Sequence, residues 1–495
     1  MSRSQPSATT ALRAPRLRLR TGMAIIAAIA ALTLMAARLW LAAAQPLWFD
    51  EAWALAVAAA PDWRSVVHEA WVDVNAPLYY LLLHAWTAVA GPSDLALRLP
   101  GLLAVAVAGA IPLLRRVPGL SFESRLAWGV MLFAWWGLDI FLAGRGYGLL
   151  LALSVAQCVL FAELIRKPAT RTALVWAVLG ALAVLTHYYA LIVTAVQGLA
   201  YLAVCRGQAL RTWPAALAFV PAAGWIAWHA PRVMAFASAD VAWHGVVGPL
   251  GAVAMASFTL NPSAPASGLL VAIAAAAAFL LSRRPAAPET RPLWIAAAAS
   301  LAALAISLAS GMLHPSLAPR YLTPTAPGLL LGLALLAQGS ARPRLAVSAV
   351  ATVYLTTALW PGALAEALKR GSPYGFETAS DILMRHGASD VVFAWDHEVT
   401  ALMPPATLER LGGVFFRRAG TPVRVRPLVA RPIDDLNALA LAAATGPRPG
   451  IIWIYNRDGR TAARAHPPEI AARDPRWTCQ RIGDETVGSL ACWRP

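Results

Sequence analysis

The sequence predicts an all-α polytopic membrane protein of about 11 to 13 transmembrane helices, with interfacial helices in the first external loop and a small C-terminal α/β external domain. Three observations predict it. Of 495 residues, 59% are hydrophobic and only 13% charged, with a mean hydropathy of +0.58; a soluble globular domain carries roughly 25% charged residues. Apolar runs recur from Thr21 to about residue 362, separated by short polar or basic breaks. After that the pattern changes to short amphipathic and strand-like stretches. The division is a cytoplasmic tail over 1–20, a membrane domain over 21–362 with an external loop at 45–76, and a periplasmic or extracellular domain over 363–495.

Thr21 to Ala44 is long enough, at ~1.5 Å per residue, to cross a ~30 Å hydrocarbon core. It also exceeds the roughly 7 to 15 apolar residues of a cleaved signal, so it reads as an uncleaved first helix. The polar stretch Gln45 to Asn75 carries Trp53, Trp63 and Trp71 at spacings that suit helices lying on a membrane surface. Apolar runs follow at 77–90, 97–114, 126–143, 147–165, 172–186, 189–204, 213–229, 246–260, 267–282, 292–311, 324–340 and 345–362. If 77–114 makes one crossing and 246–260 is interfacial or re-entrant, about 11 spans result; counting every run as a crossing gives about 13.

The net charge of +16 comes from short clusters between these runs: Arg13 to Arg20, Arg115-Arg116, Arg166-Lys167, Arg206 to Arg211, Arg283-Arg284 and Arg342 to Arg344. Interspersed in this way they are cytoplasmic loop charges rather than a nucleic-acid surface, and no nucleic-acid partner is expected. The first count puts Asp50-Glu51, Asp73-Val74-Asn75, Arg145, His187 and His314 to Tyr321 together on the opposite face. In the C-terminal part, Phe376 to Arg385 and Ile433 to Ala444 are helix-like, and Asp390 to Ala394 and Gly450 to Tyr455 strand-like. Cys158 and Cys205 lie in or at the end of apolar runs as packing residues. Cys479 and Cys492 flank a hairpin-like stretch and could form a cross-strand disulfide in an oxidising compartment.

Leu47-Trp48-Phe49-Asp50-Glu51-Ala52-Trp53 sets two carboxylates among aromatics just after the first span. Asp50 could simply cap a surface helix. A second polar cluster on the same loop, Asp73-Val74-Asn75 before Pro77, suggests a pocket shared with Asp50 and Glu51. Asp50, Glu51 and Asp73 could alternatively hold a divalent cation. Arg145, between Gly144 and Gly146, and Arg320, beside Tyr321, are suited to phosphate, with interfacial anchoring as the alternative. His187, before Tyr188 and Tyr189, could donate a hydrogen bond to the same group. Asp396-His397-Glu398 are consecutive, point in different directions, and read as surface groups. Phosphate-loop, Cys-x-x-Cys and His-Glu-x-x-His signatures do not occur, so nucleotide hydrolysis and a thiolate or histidine zinc centre lack support.

Together, Phe49-Asp50-Glu51-Ala52, Asn75-Ala76-Pro77-Leu78-Tyr79-Tyr80, Leu97-Arg98-Leu99-Pro100, Arg145-Gly146-Tyr147, Thr186-His187-Tyr188-Tyr189 and Pro319-Arg320-Tyr321-Leu322 resemble membrane glycosyltransferases of the GT-C fold. They are most similar to the bacterial family 39 type, related to protein O-mannosyltransferases and aminoarabinose transferases. The resemblance implies an inverting enzyme that takes sugar from a polyprenyl-phosphate donor and passes it to a glycan, lipid or protein acceptor. It acts outside the bacterial cytoplasmic membrane. Asp50 would be the general base. Glu51, Asp73, Asn75, Tyr79, Arg145, Tyr147, His187, Tyr188, Arg320 and Tyr321 would bind substrate. Many relatives carry His-Pro-Pro where this chain has Asn75-Ala76-Pro77. The rival reading is a lipid or solute transporter or flippase, in which ionisable residues would sit near helix midplanes rather than at segment ends.

Overall fold

The computed structural model describes residues 8–238, 246–282, 287–369, 375–396, 400, 402–416, 423–429, 434–456 and 468–495; the side chains of 8–20, 238, 282, 366, 368 and 369 fall outside that description. The expected Arg283-Arg284 cluster and His397-Glu398 lie outside the described residues, as do the side chains of Arg13 to Arg20.

Before the C-terminal part the described residues form the α-helices α1 (Ala8–Ala44), α2 (Phe49–Ala58), α3 (Trp63–Val72), α4 (Leu78–Ala90), α5 (Asp94–Leu114), α6 (Phe122–Ala134), α7 (Tyr147–Arg166), α8 (Thr170–Thr186), α9 (Ala190–Cys205), α10 (Gly207–Arg211), α11 (Val220–Ser238), α12 (Pro249–Leu260), α13 (Pro265–Ser282), α14 (Arg291–Leu313), α15 (Ala326–Gly339), α16 (Pro343–Ala358) and α17 (Pro361–Lys369). Their starts follow local chemistry. Ser93, Ser121 and Asp62 accept backbone N–H groups at the heads of α5, α6 and α3, and Pro343 opens α16, where its missing N–H costs nothing. One apolar core runs through α1, α5 to α9 and α14 to α16. Several of its polar groups are paired across helices: Trp128 Nε1 donates to the Pro327 carbonyl at 3.1 Å, and Gln157 Nε2 to Thr194 Oγ1 at 3.0 Å.

Six stretches are long and apolar enough to cross a membrane, and α12 with α13, bent by 80° at their junction, would make a seventh. This is fewer than the 11 to 13 expected, because several apolar runs do not continue as single helices. The run expected over 126–143 stops being helical at Ala134 and turns over 135–146, and α4, α8 and α9 have 13, 17 and 16 residues against the ~20 that a perpendicular span needs. The bend between α12 and α13 suits the interfacial or re-entrant expectation for 246–260.

The C-terminal part contains α18 (Phe376–Arg385), β1 (Asp390–Asp396), α19 (Pro405–Phe416), β2 (Arg424–Leu428), α20 (Leu436–Ala443), β3 (Pro449–Asn456), α21 (Ile470–Arg473), β4 (Thr478–Gly483) and β5 (Val487–Trp493). The sheet order is β2-β1-β3-β5-β4, with the first three strands parallel and the last two antiparallel. Because side chains alternate along a strand, Val391, Phe393, Ile452 and Ile454 face α18 and α19, while Val392, Ala394, Ile451 and Trp453 face α20. Burial on both faces explains the nearly uninterrupted apolar strands. Cys479 and Cys492 form a disulfide across the β4–β5 pair.

The first-loop helices are not left free on the membrane surface. Phe49 packs against Trp395 and Phe376, with ring centroids 4.6 and 5.6 Å apart, and Trp53 lies 6.0 Å from Trp395. Thr407 Oγ1 donates to Glu69 at 2.8 Å, Arg410 Nε donates to the Ala56 carbonyl at 2.9 Å, and Arg410 also pairs with Glu69. Phe49 and Trp53 therefore join α2 to the C-terminal domain.

Candidate active site

Trp48 is the N-cap of α2, so Asp50 sits in the first helical turn and does not itself cap it. Neighbouring residues on a helix point about 100° apart, which separates Asp50 from Glu51. Glu51 turns inward and is fully buried. Arg98 of α5 donates to it through Nε at 2.8 Å and Nη2 at 2.6 Å, and the amides of Trp48 and Gly144 donate at 3.0 and 3.2 Å. The remaining Arg98 N–H groups bond the carbonyls of Ala42, Gln45 and Pro46. Glu51 thus ties α2 to α5 and to the 135–146 loop, with no free oxygen for an acceptor. Gly144 is needed because a Cβ there would lie 2.6 Å from Glu51 Oε1, while Gly146 on the other side of Arg145 lines the site cavity.

Asp50 turns the other way. Its Oδ2 accepts from Arg320 Nη2 at 3.2 Å, with the two side chains 22% and 27% exposed. Arg145 Nη1 donates to the Asp50 backbone carbonyl at 3.1 Å. Arg320 Nε donates to Tyr147 Oη at 3.1 Å, and its guanidinium lies over the rings of Trp48 and Tyr321 at 5.3 and 5.6 Å. Asp50, Arg145, Tyr147, Arg320 and Tyr321 thus form one contact shell drawn from three separated stretches of chain.

Asp73 accepts from Tyr80 Oη at 2.5 Å and Asn75 Nδ2 at 2.6 Å. Burial pushes its carboxyl up to about 6, against the pull of Arg145, Tyr80 and Asn75. Val74 between them adopts φ 63°, left-handed backbone that a β-branched residue rarely takes, so the 73–75 turn is held by its surroundings. Part of that hold is Tyr188, whose Oη donates to the Asn75 carbonyl at 3.3 Å and lies 2.5 Å from His229 Nδ1, while Trp225 Nε1 donates to it at 2.8 Å. Tyr188 therefore acts on Asn75 from behind. Trp225 and His229 on α11 were not among the expected residues; in the sequence they are only part of the apolar run 213–229.

His187 stacks among Tyr147, Tyr189 and Tyr321 at centroid distances of 5.6, 5.9 and 4.7 Å. Burial, together with Arg145 and Arg320, lowers its pKa to about 3, so it is neutral at ordinary pH. Its Nδ1 accepts from the Tyr189 amide at 3.3 Å, which assigns the proton to Nε2 as a donor. Asn75, Tyr79, Tyr80, Arg145, Tyr147 and His187 line a cavity of about 30 Å3, the space of roughly one water. Tyr79 Oη donates to the Ala143 carbonyl at 3.3 Å, leaving its ring toward that cavity.

The cation set Asp50, Glu51 and Asp73 is not brought together: each carboxylate faces its own donors, and no group of three or more His, Cys, Asp or Glu able to hold a metal occurs among the described residues.

No protein-family model and no curated protein matches the chain. Solved structures do. ArnT from Cupriavidus metallidurans in the apo state superposes with a TM-score of 0.57 at 12% identity, over 96% of this chain and 98% of that one. The same protein bound to undecaprenyl phosphate gives 0.55 at 13%, with the same coverage. The archaeal oligosaccharyltransferase AglB from Archaeoglobus fulgidus gives 0.47 at 10%, over 96% of this chain and 74% of that one. Over nearly its whole length, the chain has the fold of ArnT, the GT-C architecture.

Proposed function

We propose that the chain is an inverting glycosyltransferase, mannosyl- or arabinosyltransferase-like, that moves a sugar from a polyprenyl-phosphate carrier to an acceptor hydroxyl or similar nucleophile at the outer face of the cytoplasmic membrane. The observation that carries this reading is the Asp50–Arg320 contact at 3.2 Å with Arg145 on the same residue's backbone: a proton acceptor and two phosphate-suited cations share one shell beside a cavity.

In that reaction the acceptor O–H gives its proton to the Asp50 carboxylate as its oxygen attacks the anomeric carbon. The bond from that carbon to the carrier phosphate breaks, and the polyprenyl phosphate leaves with the electron pair. Arg145 and Arg320 offset its charge, and His187 Nε2–H is a further donor. No acid is required. Arg320 cannot hold Asp50 and a phosphate equally well, so the incoming carrier draws it off and frees the base. The narrow cavity means that Tyr147, His187 and Tyr321 move apart to admit a sugar. A fold shared with an ArnT bound to undecaprenyl phosphate supports the carrier class. The Cys479–Cys492 disulfide and the arginines at the opposite helix ends support an external C-terminal domain and a cytoplasmic N-terminus.

Purified full-length protein incubated with labelled undecaprenyl-phosphate sugars tests the proposal. Release of the sugar to an acceptor or to water is the expected result. Carrier movement across a vesicle without bond cleavage would identify a transporter, and neither outcome would leave the transferase reading without support.

A further inference from the structure

α7 runs 20 residues from Tyr147, in the Asp50 shell, to Arg166, about 30 Å away at ~1.5 Å per residue. That is the thickness of a hydrocarbon core. At this far end, Arg166, the end of α9 and α10 line an open surface cleft of about 530 Å3. Arg166, Arg206 and Arg211 line it, and no acidic residue does. All three side chains are exposed, and none has a hydrogen bond or ion pair with another described residue. Arg206 turns the chain between α9 and α10 at φ 46°, a conformation that favours glycine. The neighbouring cleft, about 380 Å3, shares Arg166 and adds Arg115 and Arg116. It also contains Glu163 and Glu289, and Arg115 pairs with Glu163 at 3.3 Å, so its charge is partly neutralised.

Exposed apolar side chains precede Arg206 by one to two turns of α9 and flank Arg211 along the chain. Leu199 and Leu202 of α9 are 66% and 46% exposed, and Leu210 and Trp213 beyond it are 65% and 64% exposed. Three like charges crowded together attract an anion, guanidinium matches phosphate, and exposed leucines with an indole suit acyl chains next to a headgroup.

We propose that this cleft binds an anionic phospholipid, its phosphodiester held by Arg166, Arg206 and Arg211 and its acyl chains lying along Leu199, Leu202 and Trp213. The exposed apolar side chains select a lipid over free phosphate, and the absence of acidic lining residues selects an anionic over a zwitterionic headgroup. The site is independent of the transfer reaction, a bilayer thickness away from Asp50. A basic residue near an anionic headgroup contributes about fivefold in affinity, so three contribute roughly a hundredfold.

The test is native mass spectrometry and thermal unfolding of the full-length protein in detergent micelles titrated with phosphatidylglycerol, phosphatidylcholine or inorganic phosphate. Phosphatidylglycerol is expected to remain bound and to raise the unfolding temperature. Phosphatidylcholine and phosphate are expected to do neither. R166Q/R206Q/R211Q should weaken retention roughly a hundredfold; R115Q/R116Q, in the partly neutralised cleft, should weaken it less than about fivefold. R206G removes one charge and suits the φ, so it should fold at least as well as wild type and weaken retention about fivefold. Unchanged retention in R206G and in the triple variant, or equal protection by phosphatidylcholine or by phosphate, overturns the proposal.

Discussion

Asp50 and Glu51 are consecutive, and each carboxylate meets an arginine, yet the two pairs belong to different regions. Glu51 and Arg98 are both 0% exposed, and every oxygen and N–H of the pair is engaged between α2, α5 and the 135–146 loop. Asp50 and Arg320 meet through one contact at 3.2 Å, about a quarter exposed, beside a cavity. A sealed bidentate pair cannot change partners without leaving a buried charge behind, which costs several kcal/mol. A single, half-open contact is worth about 0 to 1 kcal/mol and can be exchanged for a ligand. The difference assigns one carboxylate to architecture and makes the other available for chemistry.

The strongest test of that division is Asp50→Asn. Removing the base should lower transfer by about 10² to 10⁴-fold, while the thermal unfolding temperature stays within about a degree or two, since the pair contributes little to stability. Unfolding of Asp50→Asn would place this carboxylate in the sealed class. Glu51→Gln should do the reverse. Breaking a buried pair costs about 3 to 5 kcal/mol, so the variant should give little folded protein in detergent, read by size-exclusion yield and thermal unfolding. A stable, inactive Glu51→Gln protein would undo the comparison. Arg320→Gln sharpens it from the cationic side: loss of one donor to the leaving phosphate should reduce turnover by about 10² to 10³-fold with the fold intact.

The division was partly legible in the sequence. Asp50, Arg145, His187 and Arg320 each flank an apolar run, and charge counting across those runs expected them on one face; the structure brings them into one cluster. Two neighbouring carboxylates cannot face one pocket once α2 is helical, but the partner that claims Glu51 was hidden. Arg98 appears in the sequence only as one residue of Leu97-Arg98-Leu99-Pro100, and burial of an arginine in a helix depends on carbonyls from Ala42 to Pro46 that spacing does not reveal. Nor does any pattern announce that Trp395 and Phe376 cover Phe49, or that Arg410 reaches Ala56 and Glu69, since these contacts join segments more than 300 residues apart. β1 and β3 were legible because burial on both faces leaves continuous apolar runs, whereas β2, with its exposed Arg424 and half-buried Arg426, carries no such run.

The smallest expected effect concerns pH, and it should arise in the open region. Asp73 titrates near 6 in the folded protein against 3.8 ordinarily, so between those values the folded state holds a proton that the unfolded chain has released. Its contribution therefore increases as pH falls through 6 and is lost as pH rises through 6. His187 runs the other way. With its pKa lowered to about 3 from 6.5, the unfolded chain takes up a proton that the folded state refuses, so stability is lost as pH falls below 6.5. In wild type the two trends oppose each other, and single variants separate them. Between pH 7 and 5, wild type should gain about 1 kcal/mol relative to Asp73→Asn and lose about 2 kcal/mol relative to His187→Gln in thermal unfolding. If Asp73→Asn leaves the pH dependence of wild type unchanged, the carboxyl is solvated like an ordinary surface group, and the boundary between the sealed and open regions lies elsewhere than the 73–75 turn.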